Sequence, residues 1–219
     1  MEVWANNDLY LCENLAAEDE ALKNALATSR ENCLPEWEVS AAQGKFLYLL
    51  AKMKNAKRIL EIGTLGGYST IWLARALPDD GVVVSLEFDG LYADVAQGNI
   101  EFAGLSHKVE IIKGAAIDTM NKMIDEGTEP FDMVFIDADK PNNPQYLKLS
   151  LALSKPGTVI FGDNVIRDGQ LCNATSTDEK VIGVRKFIED MGKSERMEST
   201  ALQTVGIKGY DGFTISIVK

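Results

Sequence analysis

Arg58-Ile59-Leu60-Glu61-Ile62-Gly63-Thr64-Leu65-Gly66-Gly67-Tyr68-Ser69 passes from a short apolar run, through a turn with three glycines, into a helical stretch at Ser69–Leu77. A brief apolar run closed by glycines and followed at once by an amphipathic segment reads as the opening of a strand–helix unit. The same rhythm then recurs. Runs at Val82–Glu87, Val109–Ile112, Met133–Ile136 and Thr158–Phe161 alternate with helical stretches at Leu91–Ala103, Ala116–Asp125 and Asn143–Ser154. Strands apolar enough to be covered on both faces, separated by helices, predict an α/β fold with a parallel, doubly wound sheet. After a helix near Asp178–Met191, the segments Ser199–Val205 and Gly212–Val218 read as two closing strands. The loop Gly206–Asp211 between them predicts an antiparallel hairpin at one edge, which makes seven strands in all.

Upstream of Arg58 the chain reads as helical. Leu9, Leu11 and Leu15 precede Glu18-Asp19-Glu20, acids suited to the first turn of a helix that runs to about Glu31. Pro35 interrupts the chain, and a third helix then places Phe46, Leu47, Leu50 and Met53 on one face. With 219 residues, the length fits one domain. Residues 1–55 are expected to form a helical cap and residues 56–219 the α/β core.

Composition narrows the function classes. The longest uninterrupted apolar run, Phe46 to Ala51, is far too short to span a bilayer. Met1-Glu2-Val3-Trp4 is acidic and leads into no apolar signal core, so neither membrane insertion nor signal-directed secretion is expected. Twenty-two basic residues against 33 acidic ones leave a net charge of −11. Such a surface repels phosphate backbones, and with no basic patch in view, nucleic acid is not an expected partner. Cys12, Cys33 and Cys172 are an odd count with no Cys-x-x-Cys spacing and read as reduced thiols of a cytoplasmic protein. A single histidine, His107, excludes His-rich zinc sites and leaves one residue around which a histidine triad could be built.

In doubly wound sheets, ligands lie beyond the carboxyl ends of the strands, so the chemistry is sought there. At the end of the first strand the glycines let the backbone approach a ligand, Ser69 is placed to cap the next helix, and the helix start offers N–H groups to an anion such as a carboxylate. The dinucleotide pattern G-x-G-x-x-G fails, because Leu65 and Tyr68 stand at its second and third glycine positions. Glu87 ends the second strand, where a carboxylate accepts hydrogen bonds from ribose hydroxyls, and Phe88 beside it suits one face of an adenine. Taken alone, Glu87 is equally an exposed acid before a turn. Gly114-Ala115-Ala116 offers small residues against a flat ring, although alone it is a helix start.

Phe135-Ile136-Asp137-Ala138-Asp139-Lys140 and Phe161-Gly162-Asp163-Asn164 place carboxylates at the ends of two successive strands. If those strands are neighbours, Asp137 and Asp163 repel each other, and a divalent cation would relieve the repulsion. The oxygen donors of Asp137, Asp163 and Asn164 suit a hard ion, Mg²⁺ or Ca²⁺. Solvated loop acids are the plainer alternative. Lys140 reads either as a base beside such an ion or as a surface lysine paired to Asp139.

Together, Glu61–Ser69, Glu87, Gly114–Ala116, Phe131–Lys140 and Gly162–Asn164 resemble the cation-dependent class I S-adenosylmethionine (SAM) O-methyltransferases of the catechol and caffeoyl-coenzyme A type. The resemblance runs from Trp37 to Lys219 with the motifs in order. It implies a Rossmann-like core and transfer of a methyl group from SAM to a hydroxyl of a catechol-like or caffeoyl-type phenol. By position it implies that Gly63, Thr64, Gly67 and Ser69, with Glu61, Val39 and Asp137, hold the methionine part of the cofactor. Glu87 would bind the ribose, and Phe88, Ala115 and Ala116 would frame the adenine. Asp137, Asp163 and Asn164 would bind the metal, Lys140 would take the acceptor's proton, and Trp37 would wall the acceptor pocket, with Asn164 and Lys140 on the acceptor's side. A homodimer burying the amino-terminal helices and the Gly206–Asp211 loop is implied as well. The chain departs from the family after Lys140, where Pro141-Asn142-Asn143-Pro144 stands in place of a nearby tyrosine and Tyr146 follows later. Arg167–Thr177 reads as either a mobile lid or an ordinary loop. Two other readings remain open: a tRNA hydroxyuridine methyltransferase, which the acidic charge counts against, and a SAM-binding protein without catalysis.

Overall fold

Alternation along the strands shows how the sheet is covered. In the computed structural model, which describes residues 3–219, Ile59, Met133 and Phe135 pack into one apolar cluster, while their neighbours Leu60, Ile62, Val134 and Ile136 pack into a second on the opposite face. Side chains two apart share a face, so strands that are apolar throughout must be covered on both sides. Helices α2 (Glu20–Glu31), α3 (Ala41–Lys54), α4 (Tyr68–Ala76) and α5 (Gly90–Phe102) cover the first face. Helices α6 (Ala116–Asp125), α7 (Asn143–Ala152) and α8 (Glu179–Lys193) cover the second.

The strands are β1 (Arg58–Ile62), β2 (Val82–Glu87), β3 (Val109–Lys113), β4 (Phe131–Ile136), β5 (Ser154–Asp163), β6 (Met197–Gly206) and β7 (Gly209–Val218), in the order β3-β2-β1-β4-β5-β7-β6. β1 to β5 run parallel, and β7 joins β5 antiparallel. This is the predicted seven-stranded, mostly parallel sheet with an antiparallel carboxyl-terminal hairpin. The order turns back between β1 and β4, which makes the mouth between them the natural ligand site. Ile136 lies opposite Gly162, so Asp137 and Asp163 emerge side by side from neighbouring strands.

Three local expectations are corrected. Ser69 is not a helix cap: Gly67 holds the N-cap position of α4, and the Ser69 hydroxyl donates to Glu61. Met53 leaves the apolar face of α3 and is 70% exposed, whereas Leu47 and Leu50 are buried. The loop at Gly206–Asp211 shrinks to a two-residue turn, because Gly206 already pairs with Gly209. At the amino terminus, α1 (Val3–Leu15) buries no residue, and its Asp8 carboxylate accepts the backbone N–H of Ile207 at that hairpin tip. Among the described residues, no helix is long and apolar enough to cross a membrane.

Candidate active site

The turn after β1 requires glycine for a reason visible in its neighbours. Gly63 has φ +98°, and a Cβ there would lie 2.2 Å from the carbonyl oxygen of Asp137. The ends of β1 and β4 therefore touch through backbone, and no side chain fits between them. Glu87 reaches across from β2 and orders the turn: its Oε2 accepts the N–H groups of Thr64 (3.1 Å) and Leu65 (2.8 Å), and its Oε1 accepts that of Asp89 (2.9 Å). Beneath the turn, the buried Glu61 carboxylate accepts the hydroxyls of Ser69 (2.6 Å), Thr70 (2.5 Å) and Ser85 (2.6 Å). Burial pushes the Glu61 carboxyl up to about 7, against the pull of those three hydroxyls.

At the ends of β4 and β5, Lys140 is 6% exposed, and its Nζ donates to Asp137 Oδ1 at 3.0 Å. Asp139 is held otherwise, by Tyr146 Oη and by Asn142 Nδ2. Asp163 is 4% exposed and accepts the backbone N–H of Asn164 at 2.8 Å. Its carboxyl is raised, chiefly by burial and then by the charge of Asp137, with Lys140 opposing. Burial and Asp139 likewise raise the Tyr146 phenol.

These elements surround one cavity of about 970 Å³. Gly63, Thr64, Ser69, Glu87, Phe88, Ala115 and Ala116 line one part of it, and Trp37, Val39, Asp137, Lys140, Asp163 and Asn164 line the rest. Phe88 and Trp37 are strongly exposed, at 80% and 74%, as rings at an open mouth. Glu61 and Gly67 do not line the cavity: Glu61 lies behind Ser69, and Gly67 packs towards Ala96 of α5. No cluster of three or more His, Cys, Asp or Glu side chains able to hold a metal occurs among the described residues. The oxygen set at the strand ends is two carboxylates and one amide.

The sequence reading missed Gln43, Lys180 and Lys208, which also line the cavity, and it took in Arg167 only as one end of the Arg167–Thr177 loop, with no role of its own. Lys208, at the hairpin tip, donates to the Glu36 carbonyl (3.1 Å) and to Glu38 Oε1 (2.9 Å), and so fixes the stretch that carries Trp37. Nothing local in the sequence marks this pairing, because the partners are 170 residues apart.

A family model described as O-methyltransferase matches residues 12–217. The chain belongs to that O-methyltransferase family. It is 48% identical over 218 residues to a catechol O-methyltransferase of Niastella koreensis, covering 100% of this chain and 99% of that protein. The crystal structure of the O-methyltransferase from Bacillus cereus in complex with S-adenosylhomocysteine is similar at a TM-score of 0.97 and 50% identity, covering 99% and 98% of the two chains. TomG of Streptomyces achromogenes, solved with SAM, is similar at 0.96 and 46% identity, with both chains covered in full. The protein is a SAM-dependent O-methyltransferase, and SAM is its cofactor. In this methyltransferase the cavity sits where the strand order turns back, with the glycine turn on one side and the Asp137–Asp163 pair on the other.

Proposed function

We propose that the enzyme methylates one hydroxyl of a small catechol-like phenol and does so with a divalent cation, Mg²⁺ or Ca²⁺. The observation that carries this reading is the convergence of Asp137 and Asp163, two carboxylates from neighbouring strand ends, on one cavity wall with Lys140 against them. The residues fit a hard cation: the donors are all oxygens, and burial first, then the charge of Asp137, disfavour an ionised Asp163, two costs that a bound cation would offset. Asp137, Asp163 and Asn164 would hold the ion. When bound, such an ion lowers the proton affinity of an oxygen it contacts and orients two adjacent hydroxyls.

The chain's own residues supply the rest. Lys140 Nζ takes the proton of the reacting hydroxyl. The acceptor oxygen then forms its bond to the methyl carbon as the carbon–sulfur bond breaks, leaving S-adenosylhomocysteine. Positioning supplies much of the rate in such a displacement, and no covalent bond to the enzyme is needed. Val39, Gly63, Thr64, Ser69 and Asp137 would hold the methionine part of SAM, with Glu61 and Gly67 shaping the turn from behind. Three backbone N–H groups use most of the acceptor capacity of Glu87, and what remains serves the ribose. Phe88, Ala115 and Ala116 frame the adenine, and Trp37 walls the acceptor.

We also place residues 1–55 and 56–219 in one domain, since α2 and α3 complete the first apolar cluster. A homodimer and a reducing, cytoplasmic setting are part of the same proposal; the free thiols Cys12, Cys33 and Cys172 support the latter. The test is methyl transfer from labelled SAM to catechol, with tRNA in parallel. Strong labelling of catechol and none of tRNA is expected, and the reverse would replace the acceptor class.

A further inference from the structure

Four cations line the cavity, and they are not equivalent. Lys140 is paired with Asp137 at 3.0 Å and Lys208 with Glu38 at 2.9 Å. Arg167 and Lys180 have no carboxylate within ion-pairing distance among the described residues. Arg167 goes further: its Nε is buried and has no hydrogen-bond partner. A guanidinium is always charged and carries five N–H donors, so one left unpaired out of reach of solvent is costly, and the other donors of the fork are those an incoming acceptor can meet.

The backbone holds Arg167 in place against its own preference. Asn164, Arg167 and Asp168 have φ of +54°, +53° and +54°, a region that non-glycine residues seldom adopt. A single oxygen, Oδ1 of Asp211 on β7, accepts the N–H groups of Ile166 (2.8 Å), Arg167 (3.3 Å) and Gly212 (2.9 Å) and locks the loop. Strained backbone kept in one shape by a half-buried carboxylate is characteristic of sites where a side chain must be aimed.

We propose, on the catechol reading above, that the acceptor ring carries a carboxylate and that Arg167 grips it. The planar guanidinium fork matches a carboxylate bidentately, which a lysine cannot do. With a net charge of −11 the enzyme repels anions over most of its surface, so admitting one to the cavity takes a dedicated positive charge. Lys180, in the first turn of α8, adds a second positive charge to the wall. Asp211 acts as a positioning residue through the loop.

The test compares kcat/KM for 3,4-dihydroxybenzoate, catechol and dopamine in the wild type and in Arg167→Gln, Arg167→Lys and Asp211→Asn. Wild type should prefer the benzoate. Arg167→Gln should lower the benzoate-to-catechol ratio by about tenfold through KM, the loss of one charge-assisted contact. Arg167→Lys should recover part of the ratio, and Asp211→Asn should lower it in the same direction. The dopamine-to-catechol ratio should not fall. A benzoate-to-catechol ratio unchanged in Arg167→Gln, with catechol still methylated, overturns the carboxylate assignment alone. Failure of the wild type to methylate any of the three overturns the catechol reading and this inference with it.

Discussion

Glu61→Gln gives the sharpest test of how the cofactor turn is built. Glu61 is fully buried, and its carboxyl is raised from 4.5 to about 7. In the unfolded chain the carboxyl ionises near its ordinary value, while the folded protein keeps the proton until about pH 7. Between those values the folded state binds more protons than the unfolded one, so stability contributed by Glu61 is present below pH 4.5 and lost as pH rises through 7. At about 1.4 kcal/mol for each pH unit, the rise from 4.5 to about 7 amounts to about 3 kcal/mol. Glutamine keeps the shape and has no proton to lose; its oxygen accepts from the hydroxyls on one side, and on the other its NH2 donates to a hydroxyl oxygen instead. Urea unfolding of cofactor-free enzyme at pH 5 and pH 8 reads the effect as a double difference. From pH 5 to pH 8 the wild type should lose about 2–3 kcal/mol more than the variant does. Parallel losses in the two proteins would refute the assignment of a protonated, buried Glu61 and the account of the turn that rests on it.

Gly63→Ala places a methyl group 2.2 Å from the Asp137 carbonyl at φ +98°, so it should cost at least about 2 kcal/mol of stability in urea unfolding and weaken SAM binding in calorimetry. A variant as stable as the wild type would mean that the β1–β4 contact is looser than described. Asp163→Ala should abolish methylation of catechol while SAM affinity persists, since the proposed role of this side chain is on the metal and acceptor side; collapse of SAM affinity would show that the roles are divided wrongly. Lys208→Ala frees the Glu36–Glu38 stretch. Because the pair is partly exposed, stability should change by less than about 1 kcal/mol, and KM for the acceptor should rise by up to about fivefold, an effect that an unchanged KM would exclude.

Much of this architecture is legible in the chain because its cues are local. β1 and β2 end at Ile62 and Glu87 as the apolar runs do, and Gly63 announces a backbone that must pass close to another strand. Asp137 and Asp163 are recognisable because charged residues seldom end buried strands without a task. What escapes the sequence depends on distant partners. Ser69 looks like a cap until Glu61 is seen beneath it. β6 is almost wholly exposed along its length, so its apolar signal is weak and its true extent to Gly206 is hidden. Arg167 draws its meaning from Asp211, and Lys208 from Glu38; neither pairing leaves a trace in spacing or periodicity. The fold thus follows from residues close together in the chain, and the acceptor side of the site from contacts that form only when the sheet closes.

The central claim is that Asp137 and Asp163 come together to hold a divalent cation on which methyl transfer depends. The direct measurement is the rate of methyl transfer from SAM to catechol by enzyme treated with EDTA, before and after Mg²⁺ is restored. The rate should vanish in chelator and return with the ion; a rate undiminished in chelator would contradict the claim.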